Sequence, residues 1–191
     1  EAVAARCEVL VACGGDGTVN EVVGGMAGSE VPLLVIPGGT SNVLARELDL
    51  PGDLPACAAL LHKGAMRRIS LGRAGERRFV LMAGIGVDAG IVAASNFRLK
   101  RYLGEGAFWI AGFQQLARYH FSPFDLAVDG KPHRGTFALI SKVKSYGGPF
   151  QLTPQANLFS NQFAICLFQS QMRWRYLYYL SQVARRNHMN L

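Results

Sequence analysis

The 191-residue chain has no uninterrupted apolar run long enough to cross a bilayer; the longest candidate, residues 79–94, is broken by Asp88 and several glycines. Its opening Glu1-Ala2-Val3-Ala4-Ala5-Arg6 lacks the basic region and apolar core of a signal peptide, which points to the cytoplasm. Cysteine is scarce. Cys7, Cys13, Cys57 and Cys166 form no Cys-x-x-Cys pair and have no neighbouring histidine, which argues against a zinc site and for reduced thiols. The four histidines are scattered, there is no internal repeat, and no low-complexity linker divides the chain. Neither the dinucleotide glycine spacing nor the Gly-Lys-Ser/Thr ending of a P-loop occurs. No recognised RNA- or DNA-reading motif occurs either, so no nucleic-acid partner is expected.

What is present is glycine, 22 residues of it, in a chain that is 50% hydrophobic and large enough for one large or two small domains of mixed α/β type. The most informative stretch is Cys13-Gly14-Gly15-Asp16-Gly17-Thr18-Val19-Asn20-Glu21, which follows a strand-like run and opens a helix. Glycines let the backbone approach a ligand, so successive N–H groups converge on phosphate oxygens at the positive end of the helix. A carboxylate beside a polyphosphate would repel it. Asp16 therefore makes sense where it meets a metal ion or takes a proton from an attacking hydroxyl.

A second loop, Pro37-Gly38-Gly39-Thr40-Ser41-Asn42, follows the apolar run Leu33-Leu34-Val35-Ile36 and precedes the helical Val43-Leu44-Ala45-Arg46-Glu47-Leu48. Two strand, turn, helix units in succession place both turns at the carboxyl ends of neighbouring parallel strands, where open α/β sheets bind ligands. The expected path is strand over 9–13, helix over 19–27, strand over 33–36 and helix over 41–48. A further helix, capped by Asp53 with Pro55 early in it, runs to about residue 63. Strands are then expected over 67–71, 77–83, 124–128, 136–143 and 163–168, with a helix over 107–119 and a hairpin turn at Asp129-Gly130. The domain boundary is placed near residue 65, giving 1–65 and 66–191.

Charge divides the chain at nearly the same point. Residues 1–62 carry a formal balance of −6 and residues 63–191 one of +13. Such asymmetry suggests that the second half faces an anionic surface, and a peripheral membrane contact is expected. The closing Met172-Arg173-Trp174-Arg175-Tyr176-Leu177-Tyr178-Tyr179-Leu180 interleaves cations with aromatics in a way that suits a membrane interface.

With both loops in hand, the chain resembles the diacylglycerol kinase catalytic family, which includes bacterial lipid kinases and sphingosine kinases. Gly14-Gly15-Asp16-Gly17-Thr18 and Gly39-Thr40-Ser41-Asn42 match its two nucleotide loops. Met82-Ala83-Gly84-Ile85-Gly86-Val87-Asp88-Ala89 looks like its glycine-rich strand at the lipid cleft, and Tyr146-Gly147-Gly148-Pro149-Phe150-Gln151-Leu152-Thr153-Pro154 looks like its later hairpin. The resemblance runs from about residue 9 to about residue 168. It implies an α/β nucleotide domain of the NAD-kinase kind, lacking its opening strand and helix, followed by a β-rich lipid-binding domain.

By the same resemblance the substrate pair is ATP, used with Mg2+, and a diacylglycerol-like or sphingoid lipid. Gly14, Gly15, Gly17, Thr18, Gly38, Gly39, Thr40 and Asn42 would hold the nucleotide. Asp16 would serve as metal ligand and catalytic group, and Asp88 would meet the substrate. Three departures stand out, one of them Val43, which follows Asn42 where some members have aspartate. Ser160 and Asn161 occupy the place of a common Asp-Gly pair, and Ser70 lies where an acidic residue is usual. The alternatives are a nucleotide- or lipid-binding module of weak or no activity, and an NAD-kinase-like enzyme. Oligomeric state is not legible.

Overall fold

The computed structural model describes residues 7–86, 121–147 and 150–185. The first two strands, β1 (Leu10–Gly14) and β2 (Leu33–Pro37), pair in parallel from Leu10 opposite Leu33 to Gly14 opposite Pro37. Between them runs α1 (Asp16–Met26), a right-length crossover for a parallel pair. It buries Val19 and Val23 against Ala12 and Val35. The short α2 (Val43–Glu47) follows β2, and α3 (Leu54–Lys63) follows in turn, its Asp53 carboxylate accepting the Ala56 N–H at 2.8 Å.

α1 starts three residues earlier than the apolar periodicity alone indicates, because the glycine loop supplies its first turn. The expected strand over 67–71 is not formed. That segment has no strand neighbour: the Arg67 guanidinium stacks 3.3 Å over the Phe159 ring, Arg68 pairs with Glu30, and Ser70 bonds the Ser160 carbonyl. β3 (Gly72–Ala74) and β4 (Arg77–Phe79) instead make a small hairpin. The expected single strand over 77–83 is split at Val80 and Leu81. There the Val80 N–H goes to the Asn20 Oδ1 at 3.2 Å, and the Leu81 carbonyl accepts the Lys142 N–H at 2.8 Å.

The larger sheet orders β11 (Ala164–Phe168), β8 (Phe137–Ser141) and β5 (Met82–Gly86), all antiparallel. β6 (Phe124–Val128) and β7 (Lys131–Gly135) form the hairpin expected at Asp129-Gly130, whose φ values of 50° and 78° suit a two-residue primed turn. β9 (Ser145–Gly147) pairs with β10 (Phe150–Gln151), in the place of the expected Gly-Gly hairpin. The closing helix is α4 (Arg173–Ala184). The expected helix over 107–119 lies outside the described residues.

Two cores result. The first joins Ala12, Val19, Val23, Val35, Val43 and Leu44 to Val80, Val143 and Leu158, so residues on both sides of position 65 share it. The second packs Tyr176 and Val183 of α4 on Phe121, Phe137, Leu139 and Leu152. Thr136 pins this helix down: its hydroxyl lies 2.7 Å from the Tyr176 hydroxyl and donates to the Ser170 carbonyl at 2.7 Å.

Candidate functional site

Parallel pairing brings the two glycine loops to one end of β1 and β2. They meet backbone to backbone. The Gly38 N–H donates to the Gly14 carbonyl at 3.0 Å, and a Cβ placed on Gly39 would sit 2.5 Å from the Cα of Gly15. A Cβ on Gly38 would lie 3.3 Å from the Gly14 Cα. Glycine is thus needed at this contact because no side chain fits between the loops.

The two helix starts at this edge differ. α1 begins after Gly15, whose extended backbone gives no side-chain cap, so its first-turn N–H groups face outward at the positive end of an 11-residue helix. Gly17 and Thr18 are exposed there, and a Cβ on Gly17 would meet nothing within 4 Å. α2 is already capped. The Asp16 carboxylate reaches across from the other unit and accepts the Val43 N–H through Oδ2 and the Leu44 N–H through Oδ1, each at 3.0 Å. Asn42, left-handed at φ 44°, closes the second loop on itself. Its Oδ1 accepts the Gly39 N–H at 2.8 Å and its Nδ2 donates to the Gly39 carbonyl at 2.7 Å.

The predicted loop residues Gly14, Gly15, Asp16, Gly17, Thr18, Gly38, Gly39, Thr40 and Asn42 therefore gather at one edge, while Asp88 lies outside the described residues. Within this set Asp16 and Asn42 have local bonding roles that spacing alone does not reveal. Arg46 sits in the last turn of α2, away from the capped end.

A second cluster was not predicted. Lys142 is 1% exposed, and its ammonium donates to the Ser70 Oγ at 2.7 Å and to the Ser160 carbonyl. Ser70 donates to the same carbonyl at 3.1 Å. Burial pushes the Lys142 pKa below its usual value. The sequence signal for it was the break in apolar character at Ser141-Lys142-Val143-Lys144, immediately after a strand. Nearby, a cavity of about 450 Å³ lies between the end of α2 and the turn over 154–159; Glu47, Lys144, Asn157 and Phe159 line it.

Among the described residues, no three His, Cys, Asp or Glu side chains gather as a metal-binding group. Among the described residues, the site offers one carboxylate, Asp16, beside a set of outward N–H groups. That arrangement fits a magnesium ion which arrives with phosphate oxygens and water and needs only one or two protein carboxylates.

Residues 1–74 match the diacylglycerol kinase catalytic domain model. A diacylglycerol kinase of Bacillus subtilis is 29% identical over 195 residues, an alignment covering all of this chain and 64% of that protein. One from Staphylococcus saprophyticus is 31% identical over 168 residues, covering 85% of this chain and 54% of the relative. The chain is similar to the diacylglycerol kinase catalytic-domain family over these residues. The fold agrees: a crystal structure of a diacylglycerol kinase from Bacillus anthracis superposes with a TM-score of 0.71 at 23% identity, covering 95% of this chain and 61% of that one. The chain thus spans between about half and two thirds of the length of these family members. Among the described residues, no helix is long and apolar enough to cross a membrane.

Proposed function

We propose that the chain carries the catalytic loops of an ATP-dependent lipid kinase, which passes the γ-phosphate to a hydroxyl of a diacylglycerol-like or sphingoid lipid. The observation that carries this reading is the pairing of an uncapped helix start at α1 with an anchored carboxylate, Asp16, at the same loop edge. Outward N–H groups at a helix start bind phosphate, and the open space over Gly17 leaves room for it. The second loop then serves as the rigid neighbour that holds Asp16 in place, with Thr40 and the Asn42-closed turn completing the nucleotide site. The likeness to diacylglycerol kinases supports a kinase and a lipid acceptor.

In the reaction, the lipid hydroxyl oxygen bonds the γ-phosphorus as the bond to the β-phosphate bridging oxygen breaks and ADP leaves. Asp16 takes the hydroxyl proton. Each of its oxygens accepts one backbone N–H and keeps a lone pair, so the carboxylate is oriented without being saturated. Asp16 would also hold Mg2+, which when bound offsets phosphate charge. The nucleotide half is assigned to residues 1–65, in the NAD-kinase-like arrangement, and the lipid half to 66–191, with Asp88 at the substrate. The enzyme would work in the cytoplasm and visit an anionic membrane surface.

The test is transfer of radiolabelled γ-phosphate from ATP to mixed lipid micelles, with NAD offered in a parallel reaction. Label in lipid is the expected result. Label in NAD instead, or in neither acceptor while ATP binds, overturns the lipid-kinase reading, the second outcome in favour of a binding module.

A further inference from the structure

The face of α4 turned away from the core has no role in the nucleotide site. Its inner stripe, Tyr176, Tyr179 and Val183, packs on the sheet; Tyr176 stacks on Phe121 at 4.1 Å between ring centroids and Tyr179 on Phe168 at 4.4 Å. At roughly 100° per residue, Trp174, Leu177 and Tyr178 fall on the opposite side. They are 61%, 52% and 47% exposed. Met172, just before the helix, is exposed as well. Arg173 and Arg175 project on either flank of this outer stripe, the Arg175 guanidinium 5.6 Å from the Trp174 ring centroid. The helix, RWRYLYYLSQVA, contains no acidic residue to neutralise them.

We propose that this outer face of α4 is the surface by which the protein docks on an anionic phospholipid bilayer. The inference rests on the lipid-kinase reading for its purpose and deepens it by assigning the membrane partner to one helix. Three features select this occupant. Charge complementarity is the first, because Arg173 and Arg175 flank the stripe in a helix with no acidic residue, within a segment, 63–191, whose formal balance is +13. The second is residue type: Trp and Tyr have apolar bodies and polar tips that settle at the headgroup level. The third is arrangement. An apolar stripe flanked by arginines lets the rings enter the interface while the guanidinium groups reach phosphate oxygens on both sides. The inner stripe stays locked in the core, so docking requires no unfolding of the helix.

Trp174 provides its own probe. In a Trp109→Phe protein it is the sole tryptophan. Vesicles of phosphatidylcholine with about one third phosphatidylglycerol, the anionic share chosen to hold a surface potential, should shift its emission to the blue. Brominated lipid should quench it, and the response should fade as salt rises. Trp174→Ala with Tyr178→Ala, and separately Arg173→Glu with Arg175→Glu, should each weaken vesicle co-sedimentation at least about tenfold, since each removes one of the two contributions. Both variants should retain phosphorylation of a water-soluble short-chain lipid. Vesicle binding unchanged in both variants overturns the proposal. So does Trp174 emission that is already blue-shifted and shielded from iodide without lipid, which would mean that polypeptide covers the face. Light scattering that shows a dimer dissociated by these same substitutions would assign the face to a second copy instead. Loss of vesicle binding in a protein that labels no lipid leaves this surface standing and removes only the kinase reading.

Discussion

Asp16 caps the helix that begins at Val43: its Oδ2 accepts the Val43 N–H at 3.0 Å across 27 positions of sequence. The carboxylate expected to act on substrate is therefore also the clasp between the two loops. The two roles separate by substitution. Asp16→Asn keeps one carbonyl acceptor for α2, so stability should fall by less than about 1 kcal/mol, whereas Asp16→Ala should cost about 1–2 kcal/mol. Turnover should fall by about a hundredfold or more in both, as for loss of a general base, with ATP affinity in Asp16→Asn nearly unchanged. Denaturant titration and steady-state kinetics read the two separately; an Asn variant with full turnover would leave Asp16 as a clasp alone.

Glycine substitutions should split by where the new Cβ lands. Gly39→Ala drives a methyl against the Gly15 backbone and should cost about 1–3 kcal/mol of stability together with ATP affinity. Gly17→Ala meets open space and should leave the melting temperature at or above that of the wild type while weakening ATP binding, because the methyl stands where phosphate is placed. Calorimetric titration with ATP and a thermal melt on each protein decide this. Unaltered ATP affinity in a stable Gly17→Ala would mean that the nucleotide lies elsewhere.

Lys142 gives a pH signature. Its folded pKa lies below the ordinary lysine value of 10.5, so between the two the unfolded chain holds more protons than the folded one. Stability from this group consequently rises with pH through that window and is at its lowest below it. Unfolding curves from pH 7 to pH 10.5 should show the wild type gaining on Lys142→Met as the solution becomes more alkaline. Parallel curves would mean that the ammonium pays no desolvation cost.

Thiol labelling should separate the cysteines by burial. The Cys166 pKa is pushed up to about 11 by burial, leaving about one thiolate in a thousand at pH 8, while Cys13 is exposed. Iodoacetamide followed by peptide mapping should find Cys13 modified early and Cys166 far more slowly. Equal rates for the two would contradict the packing of β11 on β8.

The features legible in the sequence were those set by near neighbours. Gly14 to Thr18 and Gly38 to Asn42 announced themselves by glycine spacing after apolar runs, Asp53 by its position before a proline-led helix, and Asp129-Gly130 by its backbone demands. The clasp from Asp16 to Val43 was hidden, because nothing local tells a carboxylate which of several helix starts it will reach. The break in apolar character marked Lys142 but hid its role for the same reason: its partners Ser70 and Ser160 lie 72 and 18 positions away. The strand expected over 67–71 failed through the converse error. A β-favouring composition states a preference, but a ladder needs a partner, and Arg67, Arg68 and Ser70 were committed by side chain to two other segments, the turn at Phe159 and Ser160 and the loop at Glu30.

The backbone contact between Gly15 and Gly39 also limits how this site can change over evolutionary time or in a directed library. When a bulky core residue is enlarged, a facing residue can shrink to make room. Here both partners already carry no side chain, so neither has anything left to give up. No second-site substitution at Gly15 can rescue a side chain at Gly39, whose Cβ would lie 2.5 Å from the Gly15 Cα; the backbone of one loop would have to shift against the other, and Asp16 bridges the two.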